Sequence, residues 1–241
     1  MADVGVWRCR SVARTDVGLA RKLNEDVFVD RPATGLWAVA DGMGGLHRGE
    51  RASGLIRGAL ERLAPAADLD ASLTALRTRL RIVDAQLRAE SPGTSGSAVV
   101  ALLAADRRFA CTWAGDSRLY RWRAGRLERL TRDHSLVEEL VASGTLAPDD
   151  AFGHPFANRI TRAVGVGARL ELDAVRGALT AGERYLLSSD GLHGVITDAA
   201  IAELVGAPDL AAAADGLIAA VMRAGAPDNV TVVLVAVDAA G

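Results

Sequence analysis

Apolar residues recur at helical spacing in two separate parts of the chain. One stripe lies within residues 52–63 and another within 73–87, and in both the apolar positions repeat at intervals typical of amphipathic helices. A second pair of helices is predicted over residues 198–205 and 209–224 by the same spacing. Each of these helices has a single apolar face, so each pair needs a surface to pack against.

Short segments rich in β-branched and aromatic residues lie before, between and after the two helix pairs. Neighbouring segments are joined by short polar turns, which favours antiparallel hairpins. The last segment is apolar on both of its alternating faces, so both faces must be covered. Strands are predicted near residues 4–12, 27–30, 36–40, 98–104, 109–114, 118–122, 170–175, 185–188 and 230–237.

A sheet packed on a second sheet, with one helix pair outside each, covers every apolar face. The predicted fold class is therefore α+β: an α/β/β/α four-layer sandwich of two mainly antiparallel sheets flanked by helix pairs. No linker or repeat divides residues 1–241, so we expect a single domain. Near residues 134–162, a short helix at 135–142 is followed by glycines and prolines, which predicts an ordered, flap-like excursion from the sandwich.

Composition and charge narrow the class of protein. Half of the residues are hydrophobic, 24% are charged and the net charge is -2, which is typical of a globular protein rather than a disordered one. Basic residues form no block, so the electrostatic footprint of nucleic-acid binding is missing. Neither a signal peptide nor a membrane span is predicted. Cys9 and Cys111 have no metal-ligand spacing, and these features together predict a cytoplasmic protein.

Acidic residues recur where the predicted strands end. Taken singly, an Asp-Gly pair such as Asp41-Gly42 is more often a turn than a site. If the fold gathers these residues at one edge of the sandwich, their mutual repulsion requires cations between them. Oxygen ligands alone favour Mg²⁺ or Mn²⁺ over Zn²⁺. The acidic residues at these positions are Glu25, Asp26, Asp41, Asp116, Asp190 and Asp228.

Other catalytic patterns are not met. The sequence has no phosphate-binding P-loop, no dinucleotide fingerprint and no GxSxG elbow. Asp133, His134 and Ser135 are adjacent in the chain, and adjacent side chains cannot aim at one another as a catalytic triad does. We expect Asp133 or Ser135 to cap the following helix instead. The histidines have no zinc-ligand spacing; they are His47, His134, His154 and His193.

Eight short stretches, spread in order over almost the whole chain, carry a family resemblance. They are residues 18–26, 40–45 (ADGMGG), 49–53, 114–120 (AGDSRLY), 131–135, 158–165, 187–192 (LSSDGL) and 226–231 (APDNVT). With these stretches the chain resembles the bacterial metal-dependent Ser/Thr protein phosphatases of the protein phosphatase 2C (PPM) type. The fold of that family is an α/β/β/α sandwich, in agreement with the layers predicted above.

The resemblance implies hydrolysis of phosphoserine and phosphothreonine on proteins, by a hydroxide that bridges two Mn²⁺ or Mg²⁺ ions. It implies that Asp41 bridges both ions and that the Gly42 carbonyl binds one. Asp190 and Asp228 are implied to complete the shell of the other ion. Glu25 and Asp26 are implied to contribute through water or bridging hydrogen bonds.

Further roles follow from the same resemblance. Arg21 matches the residue that grips the substrate phosphate, Asp116 matches a third metal site shared with Asp190, and Asn229 matches a partner of Asp228. Met43 stands where eukaryotic relatives carry a histidine, so the acid for the leaving group is unassigned and a metal-bound water is the first candidate.

The implied partners are phosphorylated protein substrates, together with a bacterial Ser/Thr kinase whose action the phosphatase opposes. The excursion near residues 134–162 is expected to influence substrate choice more than chemical rate. Two alternatives stay open: a catalytically weak regulatory or binding module on the same fold, and a hydrolase of small phosphoesters.

Overall fold

The computed structural model of the chain describes residues 8–44, 48–64, 68–90, 93–156 and 158–238. Residues 4–7 of the first predicted strand and His47 lie outside these ranges. The strands of the described residues are β1 (Arg8–Asp16), β2 (Asp26–Arg31), β3 (Leu36–Met43), β4 (Gly96–Ala105), β5 (Arg108–Ala114), β6 (Arg118–Arg123), β7 (Arg126–Arg129), β8 (Asp173–Ala178), β9 (Arg184–Ser188) and β10 (Val230–Asp238).

The described residues also form six α-helices, which lie between these strands along the chain. They are α1 (Arg48–Glu61), α2 (Leu69–Glu90), α3 (Leu136–Ala142), α4 (Asp190–His193), α5 (Asp198–Val205) and α6 (Leu210–Arg223). Two short 3-10 turns, Pro32–Thr34 and Pro148–Asp150, add to them. None of the described helices has both the length and the apolar character that a bilayer-spanning helix needs.

The strands form two five-stranded sheets. One sheet has the order β1-β10-β9-β6-β7 and the other has the order β2-β3-β4-β5-β8. All neighbouring strands in both sheets are antiparallel. Short turns join β2 to β3, β4 to β5 and β6 to β7. The hairpin of β4 and β5 agrees with the prediction, whereas the short turn after β5 forms no hairpin, because β5 and β6 lie in different sheets.

The helix pairs cover the outer faces of the sheets. Ile56 of α1 and Leu76 of α2 are fully buried in one hydrophobic cluster with residues of β2 to β5. Leu217 and Val221 of α6 are buried in a second cluster, with α5 and the sheet that contains β10. The prediction of a four-layer sandwich with two antiparallel sheets is confirmed.

Strand β10 shows why two layers must enclose the sheet. Val232 and Leu234 belong to the cluster beneath α6, whereas Val233 and Val235 belong to a third cluster between the two sheets. Because successive side chains of a strand point to opposite faces, an apolar residue at every position requires cover on both sides. The near-continuous apolar run at 230–237 is therefore the sequence signature of this interior strand, which is covered on both faces.

Four elements differ from the sequence-based prediction. The first strand, expected to end near residue 12, continues to Asp16. The strand expected at 170–175 lies instead at Asp173–Ala178, because Leu170 and Leu172 are buried in the cluster beneath the helices α1 and α2. The edge strand β7 was not predicted, since its sequence RLER contains only one apolar residue. The single-turn helix α4 was missed because it spans only four residues.

Candidate metal centre

The acidic residues expected at strand ends lie together at one end of the two sheets. Asp26 begins β2 and is the cross-strand partner of Asp41 in β3. Asp190 lies two residues after the end of β9 and is the first residue of α4, and Asp228 lies two residues before β10. Asp116 lies in the turn between β5 and β6. The hairpin and the sandwich thus bring carboxylates from both sheets to one place.

Asp26 is the most confined of the carboxylates on the first hairpin. Its side chain is 5% exposed, and one oxygen accepts a hydrogen bond of 2.7 Å from the Ser189 hydroxyl. The other oxygen, Oδ1, is buried and has no partner in the described residues. Burial, together with the negative charges of Asp190 and Asp228, raises the pKa of Asp26 to about 7.

Asp41 lies at the centre of the cluster. Burial raises its pKa well above the usual value, and so do the neighbouring carboxylates of Asp26, Asp190, Asp116 and Asp228. Burial and Asp228 raise the pKa of Asp190 to about 6, while a side-chain hydrogen bond with Asp41 acts in the opposite direction. The negative charges of four other carboxylates therefore act on Asp41.

Asp228 holds the arginine that the sequence singled out. Arg21 Nη2 donates to Asp228 Oδ2 at 2.6 Å, and the Arg21 side chain remains 53% exposed. The bond to Asp228 raises the pKa of Arg21. Since this guanidinium stands beside the carboxylate cluster, it supplies positive charge where metal ions are expected.

The side chain of Asn229 binds the loop that carries Arg21, not the Asp228 carboxylate. Its amide Nδ2 donates to the carbonyls of Val17 and Leu23, both at 2.9 Å, and its Oδ1 accepts from the Glu25 main-chain N–H at 2.8 Å. Only its main-chain N–H donates to Asp228 Oδ1, at 2.8 Å. Asn229 therefore fixes residues 17–25 against the start of β10.

Gly42 lies where no larger residue fits. A Cβ there would stand 2.3 Å from the Gly49 carbonyl oxygen and 2.8 Å from that of Glu25. The Gly42 N–H donates to the Glu25 carbonyl at 3.2 Å, and Glu25 Oε1 accepts from the Glu50 N–H at 3.3 Å. Glu25 is thereby tied to both β3 and the first turn of α1.

Asp116 lies on the other side of Asp190. It is 4% exposed, and its Oδ1 is buried without a partner in the described residues. Burial and the charges of Asp190 and Asp133 raise its pKa well above the usual value. This is the position that the resemblance gives to a third metal ion.

Two cavities open on the cluster and share Asp190 and Asn158. One, a cleft of about 520 Å³, is lined by Arg21, Asp41 and Asp228. The other, of about 440 Å³, is lined by Asp116 and by residues of the excursion after β7. The chain from α3 to residue 160 contributes to the walls of both, so the predicted excursion lies beside the carboxylates.

The donor set fits hard divalent cations. Within the described ranges, no three acidic, histidine or cysteine side chains are arranged closely enough to hold a metal ion by themselves, so ligands beyond these side chains would have to complete the shell. The carboxylates nevertheless raise one another's pKa, and Asp26 and Asp116 each carry a buried oxygen without a partner. Among the described residues, the cluster has oxygens without partners and contains no histidine, and its carboxylates are too close together to be fully ionised; such a set suits Mg²⁺ or Mn²⁺ completed by water.

The Asp133-His134-Ser135 run forms no triad. Ser135 caps α3 by accepting from the Glu138 N–H, as expected for one of the two candidate caps. Asp133 instead accepts three hydrogen bonds of 2.7 to 3.1 Å from the Arg118 guanidinium. His134 Nδ1 accepts from the Gly115 N–H at 3.2 Å, and burial lowers the pKa of this imidazole.

Sequence reasoning missed Ser189 and Arg118. Ser189 donates to Asp26 and accepts from the Thr231 N–H at 3.0 Å, which joins the two sheets beneath the cluster. Arg118 pairs with Asp133 in the wall of the second cavity. Neither role has a local sequence signal, because the bonded residues come together only through the tertiary fold.

Comparison with known proteins supports this description. A model of the family "Protein phosphatase 2C" matches residues 9–140. The chain is 40% identical over 230 residues to the serine/threonine protein phosphatase PstP of Mycobacterium tuberculosis, covering 93% of this chain and 44% of PstP. It therefore spans less than half the length of that relative. It is also 35% identical to the serine/threonine phosphatase stp of Listeria welshimeri, covering 92% of this chain and 93% of that protein.

A solved structure shows the same fold with metal bound. The catalytic domain of PstP in complex with two manganese ions superposes with a TM-score of 0.86 at 38% identity, over 97% of this chain and 100% of that one. The ions belong to that structure. Their presence in a relative agrees with the hard-cation donor set found here.

Proposed function

The chain belongs to the protein phosphatase 2C family, and on this premise we propose that it hydrolyses phosphoserine and phosphothreonine on proteins with Mn²⁺ or Mg²⁺. One observation carries the proposal: the cleft that contains the carboxylate cluster also contains Arg21. A phosphate monoester needs both positive charge for its oxygens and an activated water. The cleft offers residues for each.

We assign the metal-holding role to the carboxylates as the resemblance implied it. Asp41 and the Gly42 carbonyl, together with Asp190 and Asp228, would hold two ions. Asp26 and Glu25 would act through water, and Asp116 with Asp190 would hold a third ion. When bound, the ions supply an activated water as nucleophile and neutralise phosphate charge.

Arg21 orients the phosphate in this proposal. Among the described residues only its Nη2 has a hydrogen-bond partner, which leaves Nε and Nη1 as donors for phosphate oxygens. The planar guanidinium can bind two oxygens at once, which a lysine cannot do. Asn229 supports this role by holding residues 17–25 in place.

No histidine of the described residues lines the cleft with Arg21, and Met43 is one of its walls. His134 and His193 are buried, and desolvation lowers the pKa of both, so both are neutral near pH 7. We therefore assign the proton for the leaving group to a water molecule in the cleft.

The partners and the compartment are part of the proposal. The relatives PstP and stp are serine/threonine phosphatases, which supports phosphoproteins as substrates and a Ser/Thr kinase as the opposing enzyme. The free thiols of Cys9 and Cys111 support a reducing compartment, and we place the reaction in the cytoplasm.

Hydrolysis of p-nitrophenyl phosphate and of a phosphothreonine peptide tests the proposal. We expect activity with Mn²⁺, loss of activity with a chelator, and loss of more than about 100-fold in Asp190→Asn, because even outer-shell partners of metals contribute about 10- to 100-fold. Asp215→Asn is the matched control, since Asp215 is an exposed carboxylate of α6 paired with Arg14. Activity that survives the chelator, or equal activity in the two variants, would contradict the proposal.

A further inference from the structure

A second arginine lies in the cleft and has no assigned role. Arg159 lies in the excursion, after α3, and it lines the same cavity as Arg21, Asp41 and Asp228. Arg21 and Arg159 are the two basic residues among the described residues that line this cleft. Arg21 is engaged with Asp228, so Arg159 is the basic group still to be explained.

The charge of Arg159 is not neutralised within the described residues. Its guanidinium makes no ion pair there and lies over the Phe156 ring, 5.4 Å from the ring centroid. Its neighbour Arg162, in contrast, approaches Asp173 at 3.5 Å. A cation held on an aromatic face keeps its N–H donors free for a ligand.

The main chain around Arg159 is fixed. The Arg159 carbonyl accepts from the Leu136 N–H at 2.9 Å, and its own N–H donates to the Phe156 carbonyl at 3.1 Å. The next residue, Ile160, forms a β-bridge with Ser135 at the cap of α3. Arg159 therefore projects from ordered backbone, which is the requirement for a residue that selects between ligands.

The charges of the other residues that line the cleft indicate what a cation at this position would do. Glu25, Asp41, Asp190 and Asp228 make the lining strongly acidic, and Arg21 is reserved for the phosphate. A substrate segment with an acidic side chain would be repelled by such a surface unless a cation stands at the point of contact.

We propose that Arg159 binds an acidic side chain next to the phosphorylated residue, so that this protein prefers phosphoproteins with an acidic segment at the cleaved site. Arg159 is then a specificity-determining residue with no part in the chemical step. The inference rests on the proposed phosphatase function and names its substrate class.

Matched phosphothreonine peptides test this. In one set a single glutamate stands in turn at each of the three positions before and after the phosphothreonine, and in the other set a glutamine stands there. We expect the wild type to prefer glutamate over glutamine at one or more positions by about two- to five-fold in kcat/KM, as for an exposed ion pair. The preference should lie in KM and should weaken as salt is added.

Variants of Arg159 test whether this residue causes the preference for glutamate. Arg159→Gln should bring the ratio to about one, Arg159→Lys should keep part of it, and Arg159→Glu should reverse it. Hydrolysis of p-nitrophenyl phosphate should stay unchanged in all three. Arg79→Gln, at an exposed position of α2, is the matched control and should keep the wild-type ratio.

The outcomes separate the two proposals. A wild-type ratio of one at every position, or an unchanged ratio in Arg159→Gln, overturns the assignment of Arg159 while aryl phosphate hydrolysis leaves the phosphatase function intact. A wild type that hydrolyses no aryl phosphate with Mn²⁺ contradicts the phosphatase function, and the assignment of Arg159 is lost with it.

Discussion

The metal-free protein should become less stable as the pH rises from 5 to 7.5. An acid whose pKa is higher in the folded state than in the unfolded chain binds more protons when folded. The free energy of unfolding then decreases as pH rises, over the interval between the two pKa values. Asp26, with a folded pKa of about 7, and Asp190, with about 6, both place this interval between about pH 4 and 7.

The pKa shift of Asp26, taken by itself, gives the size of the expected loss in the free energy of unfolding. With a pKa of about 7 when folded and about 3.9 when unfolded, the linkage relation gives a loss of about 2 to 3 kcal/mol between pH 5 and 7.5. For a chain of this size that loss corresponds to a decrease in Tm of roughly 5 to 10 °C. Asp190 adds to the loss in the same direction.

Urea unfolding of chelator-treated protein at several pH values measures the effect. Asp26→Asn should remove most of the 2 to 3 kcal/mol attributed above to Asp26, because an amide does not titrate and can still accept from Ser189. Asp215→Asn, far from the cluster, should leave the pH profile unchanged. Saturation with Mn²⁺ at about 100 times its Kd should add about 3 kcal/mol at pH 7.5, and less at pH 5, where protons compete for the carboxylates.

A metal-free stability that increases from pH 5 to 7.5 would refute the reasoning. It would mean that the carboxylates are paired with cations of the protein and are ionised without cost. If the free energy of unfolding decreased with pH equally in the wild type and in Asp26→Asn, Asp26 would not be the cause of the decrease.

Three further predictions concern single residues. Arg21→Ala should strengthen Mn²⁺ binding by about two- to five-fold in calorimetry, because it frees the Asp228 carboxylate. The same variant should lower kcat/KM for aryl phosphate by about 100-fold or more. Weaker Mn²⁺ binding together with lower kcat/KM, or a gain in both, would contradict this. Arg118→Met leaves the buried Asp133 with the more distant Arg129, at 3.8 Å, as its cationic partner, so urea unfolding should show a loss at the lower end of about 3 to 5 kcal/mol. Gly191→Ala should lower Tm through overpacking of about 1 to 3 kcal/mol, since its Cβ would lie 1.9 Å from the Asn229 carbonyl oxygen; helix propensity alone predicts an increase.

The layers of the fold were open to prediction because they depend on local periodicity. The run at 230–237 has apolar residues on both faces, and β10 is an interior strand of its sheet, between β1 and β9, as that pattern requires. The pattern failed where an apolar residue serves another purpose. Leu170 and Leu172 read as strand residues, but they pack beneath the helices before β8 begins.

The position of the carboxylates was also predictable, whereas their partners were not. An acidic residue at a strand end can be read from the sequence, and the structure places those residues side by side. The bonds from Arg21 to Asp228 and from Ser189 to Asp26 join residues 207 and 163 positions apart. Only the register of two sheets brings such pairs together. Metal binding by the cluster stays a prediction.

The rigidity of the sheets explains why the cluster keeps its unfavourable charges. Asp26 and Asp41 are paired across an antiparallel hairpin, and Asp190 is fixed by the start of α4, so none can move away without breaking main-chain hydrogen bonds. The protein relieves the repulsion in part, with the guanidinium of Arg21 and the hydroxyl of Ser189. The remainder is a free-energy cost that protons remove at low pH and that divalent cations would remove at neutral pH. The decrease of stability with pH and the affinity for metal therefore have one origin, and a variant that abolishes the first should weaken the second.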